Sequence, residues 1–152
     1  MRAALFAVAV LASSLTVACG NDAPKAKRLS ARDAEVALTE RNWLDRWPET
    51  KQDRLHVYRF VPKMGGGVFQ DRTIYKGEFE LFQFKAGDGA IDFHFPETKE
   101  RVSSAYLIER VTGHPPFDLR LVIADDPRGP GVYWGRSDDR DASLDPFVAA
   151  EL

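Results

Sequence analysis

"RLHVYRFV", residues 54–61, is the stretch on which the fold turns. Leu55, Val57 and Val61 alternate with His56, Tyr58 and Phe60, so the side chains repeat every two residues and both faces are largely apolar. A period of two is that of a strand, because a helix face returns every 3.6 residues. Apolar residues on both faces predict a strand covered on both sides.

The same period continues toward the C-terminus. "GVFQDRTIYKGEFELFQF" (67–84) places Phe69, Thr73 and Tyr75 on one side and Gln70, Arg72 and Lys76 on the other. A break is expected at Gly77, and a bulge near Leu81 and Phe82, where two apolar residues follow one another. "AIDFHF" (90–95) has Ile91, Phe93 and Phe95 on one face and Asp92 and His94 on the other. "VSSAYLIERV" (102–111), "FDLRLVIAD" (117–125) and the short "GVYWGR" (131–136) are further strands. Turn-forming runs separate them: "KMGGG", "AGDG", "PETKE", "TGHPP" and "DDPRGPG".

Toward the N-terminus the period changes. In "SARDAEVALTERNWLDRWP" (30–48) Ser30 and Asp33 form a capping-box-like start, with Leu29 and Ala34 as a hydrophobic staple. Val36, Ala37, Trp43, Leu44 and Trp47 fall near one helical face, and Pro48 stops it, which predicts one helix over residues 30–47. A short closing helix is expected in "DPFVAAEL" (145–152), with Asp145 as cap and Pro146 in the first turn. The expected fold is therefore mainly β (α+β): an N-terminal helix packed on an antiparallel meander of six to eight strands. No crossover helix is available to make neighbouring strands parallel, so the meander either curls into a barrel or stays an open sheet covered by the helix.

"LASSLTVACGND" (11–22) holds the only cysteine of 152 residues. Arg2 precedes an apolar run from Ala3 to Leu15 that falls short of the roughly 20 residues a membrane span needs, so residues 1–18 read as an export signal. "TVA" also satisfies ordinary signal cleavage, which would release a soluble chain beginning at Cys19. Residues 19–29 read as a tether, in which Lys25, Lys27 and Arg28 could meet anionic head groups or remain solvated. Residues 30–152 are expected to form one domain. Counting from Cys19, 134 residues carry 20 basic and 23 acidic side chains, a balance that argues against nucleic acid. With one cysteine no internal disulfide is available, so stability must come from packing of 10 Phe, 4 Tyr and 3 Trp.

"TVAC" resembles the lipobox of bacterial lipoproteins, in which small residues precede a cysteine that becomes the acylated N-terminus. Ala18 and Val17 fit the pattern, while Thr16 stands where a leucine is more usual. The resemblance implies lipidation at Cys19 and attachment to the cell envelope. Gly20, where an aspartate signals inner-membrane retention, favours the periplasmic face of an outer membrane if the host has one. The helix, meander and closing helix resemble calycin and lipocalin-like barrels, which enclose small apolar ligands. The glycine-x-tryptophan signature of that family is absent, the tryptophans standing in "RNW" and "DRW", so no ligand residue carries over.

Motifs for chemistry are few. The chain has no GxSxG elbow, HExxH, phosphate-cradling loop or dinucleotide fingerprint, and it calls for no cofactor. Asp92 and His94 share a strand face, an arrangement usable by a metal or an acid-base pair, with His56 a third member only if the sheet curls suitably. His114 reads as a loop residue. Tyr58, Phe60, Phe82 and Phe84 are candidate contacts for a small apolar ligand or an envelope protein, and Arg128, in the stiff "DDPRGPG" loop, is a candidate exposed partner contact. The expected function is a non-enzymatic, lipid-anchored binding module, with accessory or assembly work on an envelope protein as the alternative.

Overall fold

The computed structural model describes residues 26–39 and 41–138. Cys19, the export signal expected at 1–18 and the closing helix expected at 145–152 lie outside them. Nine strands and one α-helix follow in the order β1 (Lys27–Arg28), α1 (Ala31–Leu38), β2 (Asn42–Leu44), β3 (Leu55–Val61), β4 (Gly66–Arg72), β5 (Gly77–Gly87), β6 (Ala90–Phe95), β7 (Glu100–Arg110), β8 (Leu119–Ile123) and β9 (Val132–Gly135).

From β2 to β9 each strand pairs antiparallel with the next, and β9 returns to pair with β2, so eight strands close into an up-and-down barrel. β1 adds to the upper end of β7, where Lys27 lies opposite Arg110 and Arg28 opposite Glu109. The barrel thus takes up the last residues of the segment read as tether, with the Leu29 amide donating to the Ile108 carbonyl at 2.9 Å. Upper here means the end at which β7 finishes. Alternation of strand direction puts the 62–65, 88–89 and 111–118 connections and α1 at that end, and the 45–54, 73–76, 96–99 and 124–131 connections at the lower one.

The predicted helix of residues 30–47 is too long. Its start is as expected, with the Ser30 hydroxyl accepting from the Asp33 amide, but the helix ends at Leu38 and Thr39 is already extended. Trp43 belongs to a strand instead. Its indole N–H donates to the Leu38 carbonyl at 2.9 Å, satisfying one of the carbonyls that a helix end leaves without a partner. Trp43 points into the barrel, whereas Leu44 joins a cluster on the outside, an opposition between neighbours that only a strand allows. The long strand expected from Gly67 also ends earlier, at Arg72. Thr73 turns the chain by accepting the Tyr75 and Lys76 amides on its hydroxyl, so Thr73 and Tyr75 are turn residues. No bulge interrupts β5, which pairs in unbroken register with β4 over residues 77–82 and with β6 over residues 83–87.

The barrel is filled by its own side chains. Tyr58, Phe60, Phe82, Phe93 and Phe95 form a chain of stacked and edge-on rings with centroids 5.4–6.2 Å apart, the usual range for favourable aromatic pairs. Gly67 makes room for them, since a Cβ there would come within 2.5 Å of the Phe82 ring. At the upper end Ala34, Ala37 and Leu38 of α1 complete the same core.

A second, smaller core lies outside the barrel wall. Leu44, Leu55 and Val57 of β2 and β3 are covered by Phe117 from the upper connection and Trp47 from the lower one, their rings meeting at 5.7 Å. His114 stacks on Trp134 at 3.8 Å and closes the same cover.

Candidate functional site

Two places concentrate chemistry or exposed apolar surface: the lower mouth of the barrel and the outer face of β4 and β5. At the mouth, the 124–131 connection folds inward. The Asp126 carboxylate accepts the Tyr58 hydroxyl at 2.9 Å and the Tyr133 hydroxyl at 2.5 Å, together with the Arg128 and Gly131 amides at 3.0 and 3.1 Å. Burial, reinforced by the Asp126 charge, pushes both tyrosine hydroxyls far above their ordinary range, so they remain donors.

Arg128, expected to be exposed, is drawn back across the mouth. It binds Glu80 of β5 at 2.5 Å and Glu100 of β7 at 2.7 Å, and its guanidinium lies 3.8 Å from the centre of the Phe95 ring. The hydrogen bonds to Glu80 raise its pKa further, against the opposing effect of burial. Proline and glycine neighbours make the turn, and the two glutamates set the direction of the side chain. The mouth is thereby latched by charge-assisted bonds.

His56 also faces this mouth. Its Nδ1 is 2.9 Å from buried Asp45, and its Nε2 is 3.8 Å from Asp71. Asp71 is itself bonded to Arg54, which holds its carboxyl below the usual range. Asp92 and His94 lie elsewhere, on the outer face of β6, where Asp92 accepts the Ser103 hydroxyl at 2.6 Å and His94 pairs with Gln83 at 2.9 Å. Curling of the sheet therefore leaves His56 and His94 on opposite sides of the wall. Among the described residues no group of three or more His, Asp or Glu side chains converges as metal ligands.

Of the other candidate contacts, Tyr58, Phe60 and Phe82 are buried in the barrel core and Phe84 packs half-buried against it. The exposed apolar surface is formed by Tyr75, which the aromatic pattern had drawn attention to, and by Met64, Phe79 and Leu81, which it had not. On β4 and β5 the side chains that alternate with the core point outward, and Val68 stands opposite Leu81 and Gln70 opposite Phe79. These four residues line a groove of about 770 Å³ that runs from Met64 and Val61 at the upper end to Ile74 and Tyr75 at the lower. Met64, Tyr75, Phe79 and Leu81 are 83, 71, 73 and 63 % exposed, and apart from Val36 no other large apolar side chain among the described residues is so open. The signal in the sequence was "EFELF", where Glu80 alternates with Phe79 and Leu81. Glu80 is the residue that turns to the mouth and meets Arg128, so Phe79 and Leu81 must face out.

Compared with known protein families, curated proteins and solved structures, the chain matches none.

Proposed function

We propose that the chain is a cell-envelope lipoprotein, attached through acylated Cys19, whose barrel is a non-enzymatic binding module for a small apolar ligand held in the β4–β5 groove. The observation that carries the reading is the groove itself: four large apolar side chains left open along a concavity within the 300–1,000 Å³ range of small-molecule sites. The barrel interior is a poorer host, because the rings of Tyr58, Phe60, Phe82 and Phe93 occupy it and Arg128 closes its mouth.

The test is titration with a fluorescent fatty-acid probe. Saturable binding, weakened at least tenfold by Leu81→Arg and unchanged by the flank substitution Arg101→Glu, supports the reading. If the probe does not bind while an envelope protein is retained in a Leu81-dependent manner, the groove serves a protein partner instead. Metabolic labelling with a palmitate analogue tests the anchor: the wild type should be marked and Cys19→Ser should not.

A further inference from the structure

We infer that the upper, helix-capped end of the barrel is a docking face for an anionic phospholipid surface. The fold collects there what the sequence scatters. A concavity of about 520 Å³ between β1, α1 and the end of β7 is lined by Lys27, Arg28, Arg32, Arg41 and Arg110, with Asp33 its sole acidic lining residue. The chain as a whole has a formal charge of −2, so this end is of opposite sign to the rest. Of the acids at this end, Asp33 accepts the Ser30 hydroxyl at 2.7 Å, Glu109 faces Arg120 at 3.5 Å, and Asp118 is shared between Ser137 and, at 3.9 Å, Arg110, while Glu35 stands exposed on α1 outside the lining of the concavity. Arg41 is buried and backs the concavity, while Lys27, Arg28 and Arg32 are exposed at its rim.

The strand register supplies an independent reason to expect an anion here. β1 sets Lys27 directly opposite Arg110, and like charges facing each other across a strand pair destabilise it. Two antiparallel strands held in that register gain from a negatively charged surface laid against them. Guanidinium groups suit the role because they bind phosphate oxygens in pairs.

Position selects a membrane as the source of the phosphate, and this step rests on the reading of Cys19 as the anchor. Lys27 lies eight positions after Cys19, so the tether reaches at most about 29 Å when fully extended. The basic end enters the barrel directly from that tether and is held against the head groups, where each basic residue contributes about fivefold in affinity. Docked in this way, the barrel stands on its α1 end with the upper limit of the β4–β5 groove, at Met64, next to the bilayer.

The experiment uses the full chain with an environment-sensitive dye on Val36→Cys, a half-exposed position lining the concavity. The protein is reconstituted in vesicles of phosphatidylcholine alone or phosphatidylcholine with phosphatidylglycerol. The dye should move to a less polar setting on the anionic vesicles only, and high salt should reverse the change. Arg28→Glu with Arg32→Glu should abolish the response and lower the affinity of added, unanchored chain for anionic vesicles at least about 25-fold, while Lys85→Glu with Arg101→Glu should leave both intact. Equal dye signals on the two vesicle types, or a response untouched by the Arg28 and Arg32 reversals, overturns the docking face. Detergent phase partitioning reports the anchor separately. A chain that stays in the aqueous phase yet binds anionic vesicles through Arg28 and Arg32 has lost the anchor and kept the docking face.

Discussion

Two apolar stretches of the outer barrel wall are treated differently by the protein. On β2 and β3, Leu44, Leu55 and Val57 are sealed by Phe117 and Trp47, delivered by connections from opposite ends of the barrel. On β4 and β5, Val68, Phe79 and Leu81 face outward with no such cover among the described residues. Ile74 touches both regions, so the covered core runs directly into the open groove. Where an up-and-down barrel carries apolar residues outside, the connections decide whether the surface becomes core or site. The 45–54 and 111–118 connections are long enough to fold back over the wall; the 73–76 turn is not.

On this contrast, the largest effects belong to the covered side. Phe117→Ala, at a side chain only 5 % exposed, should cost about 3–5 kcal/mol in denaturant unfolding. A cost near zero would mean that the cover is not packed. Trp43→Ala, inside the barrel behind the same strands, should fall in the same range and also release the end of α1. Next comes the latch, where Asp126→Ala leaves two buried tyrosine hydroxyls without their acceptor and should cost about 1–3 kcal/mol.

A smaller effect is expected in acid. Arg54 depresses the Asp71 pKa below its unfolded value, so the stability this pair contributes is present above the ordinary carboxylate range, near 3.9, and is lost as pH falls through the depressed value. Unfolding followed against pH should therefore show a shallower acid loss in Asp71→Asn than in the wild type. The smallest effect belongs to the open side. Phe79→Ser and Leu81→Ser should each stay within about 0.5 kcal/mol of wild-type stability while losing the fatty-acid probe. Destabilisation as large as that of Phe117→Ala would show the groove to be core after all.

The strands were legible where alternation was clean. Ile91, Phe93 and Phe95 announce β6, and the two-sided apolar pattern around Tyr58 announces β3. β2 was hidden because three residues are too few to establish a period, and Trp43, Leu44 and Trp47 also fit a helical face; contact between the Trp43 indole and the Leu38 carbonyl decides the matter, and it is a tertiary fact. Phe79 and Leu81 were hidden for a related reason. Alternation states which residues share a face but not which face is inward; burial of Phe82 together with the meeting of Glu80 and Arg128, 48 residues apart in the chain, puts Phe79 and Leu81 outside. Lys27 and Arg28 were visible as charge, whereas their meeting with Arg110 required the register of β1 on β7.

The seam of the barrel carries a consequence for how the chain reaches this state. β2 and β9 meet through the single register pair Leu44 and Trp134, which are 90 residues apart, while every other junction of the ring joins strands adjacent in sequence. Hairpins can therefore form locally and early, but the ring closes only when the third residue of β2 finds the last strand, with the entropy of the whole intervening loop to overcome. Closure should be the slow step of folding. Trp43 fits against Gly135 across that seam, a Cβ there approaching its ring to 2.9 Å, so Gly135→Ala should slow refolding more than it speeds unfolding if the junction is already formed at the barrier.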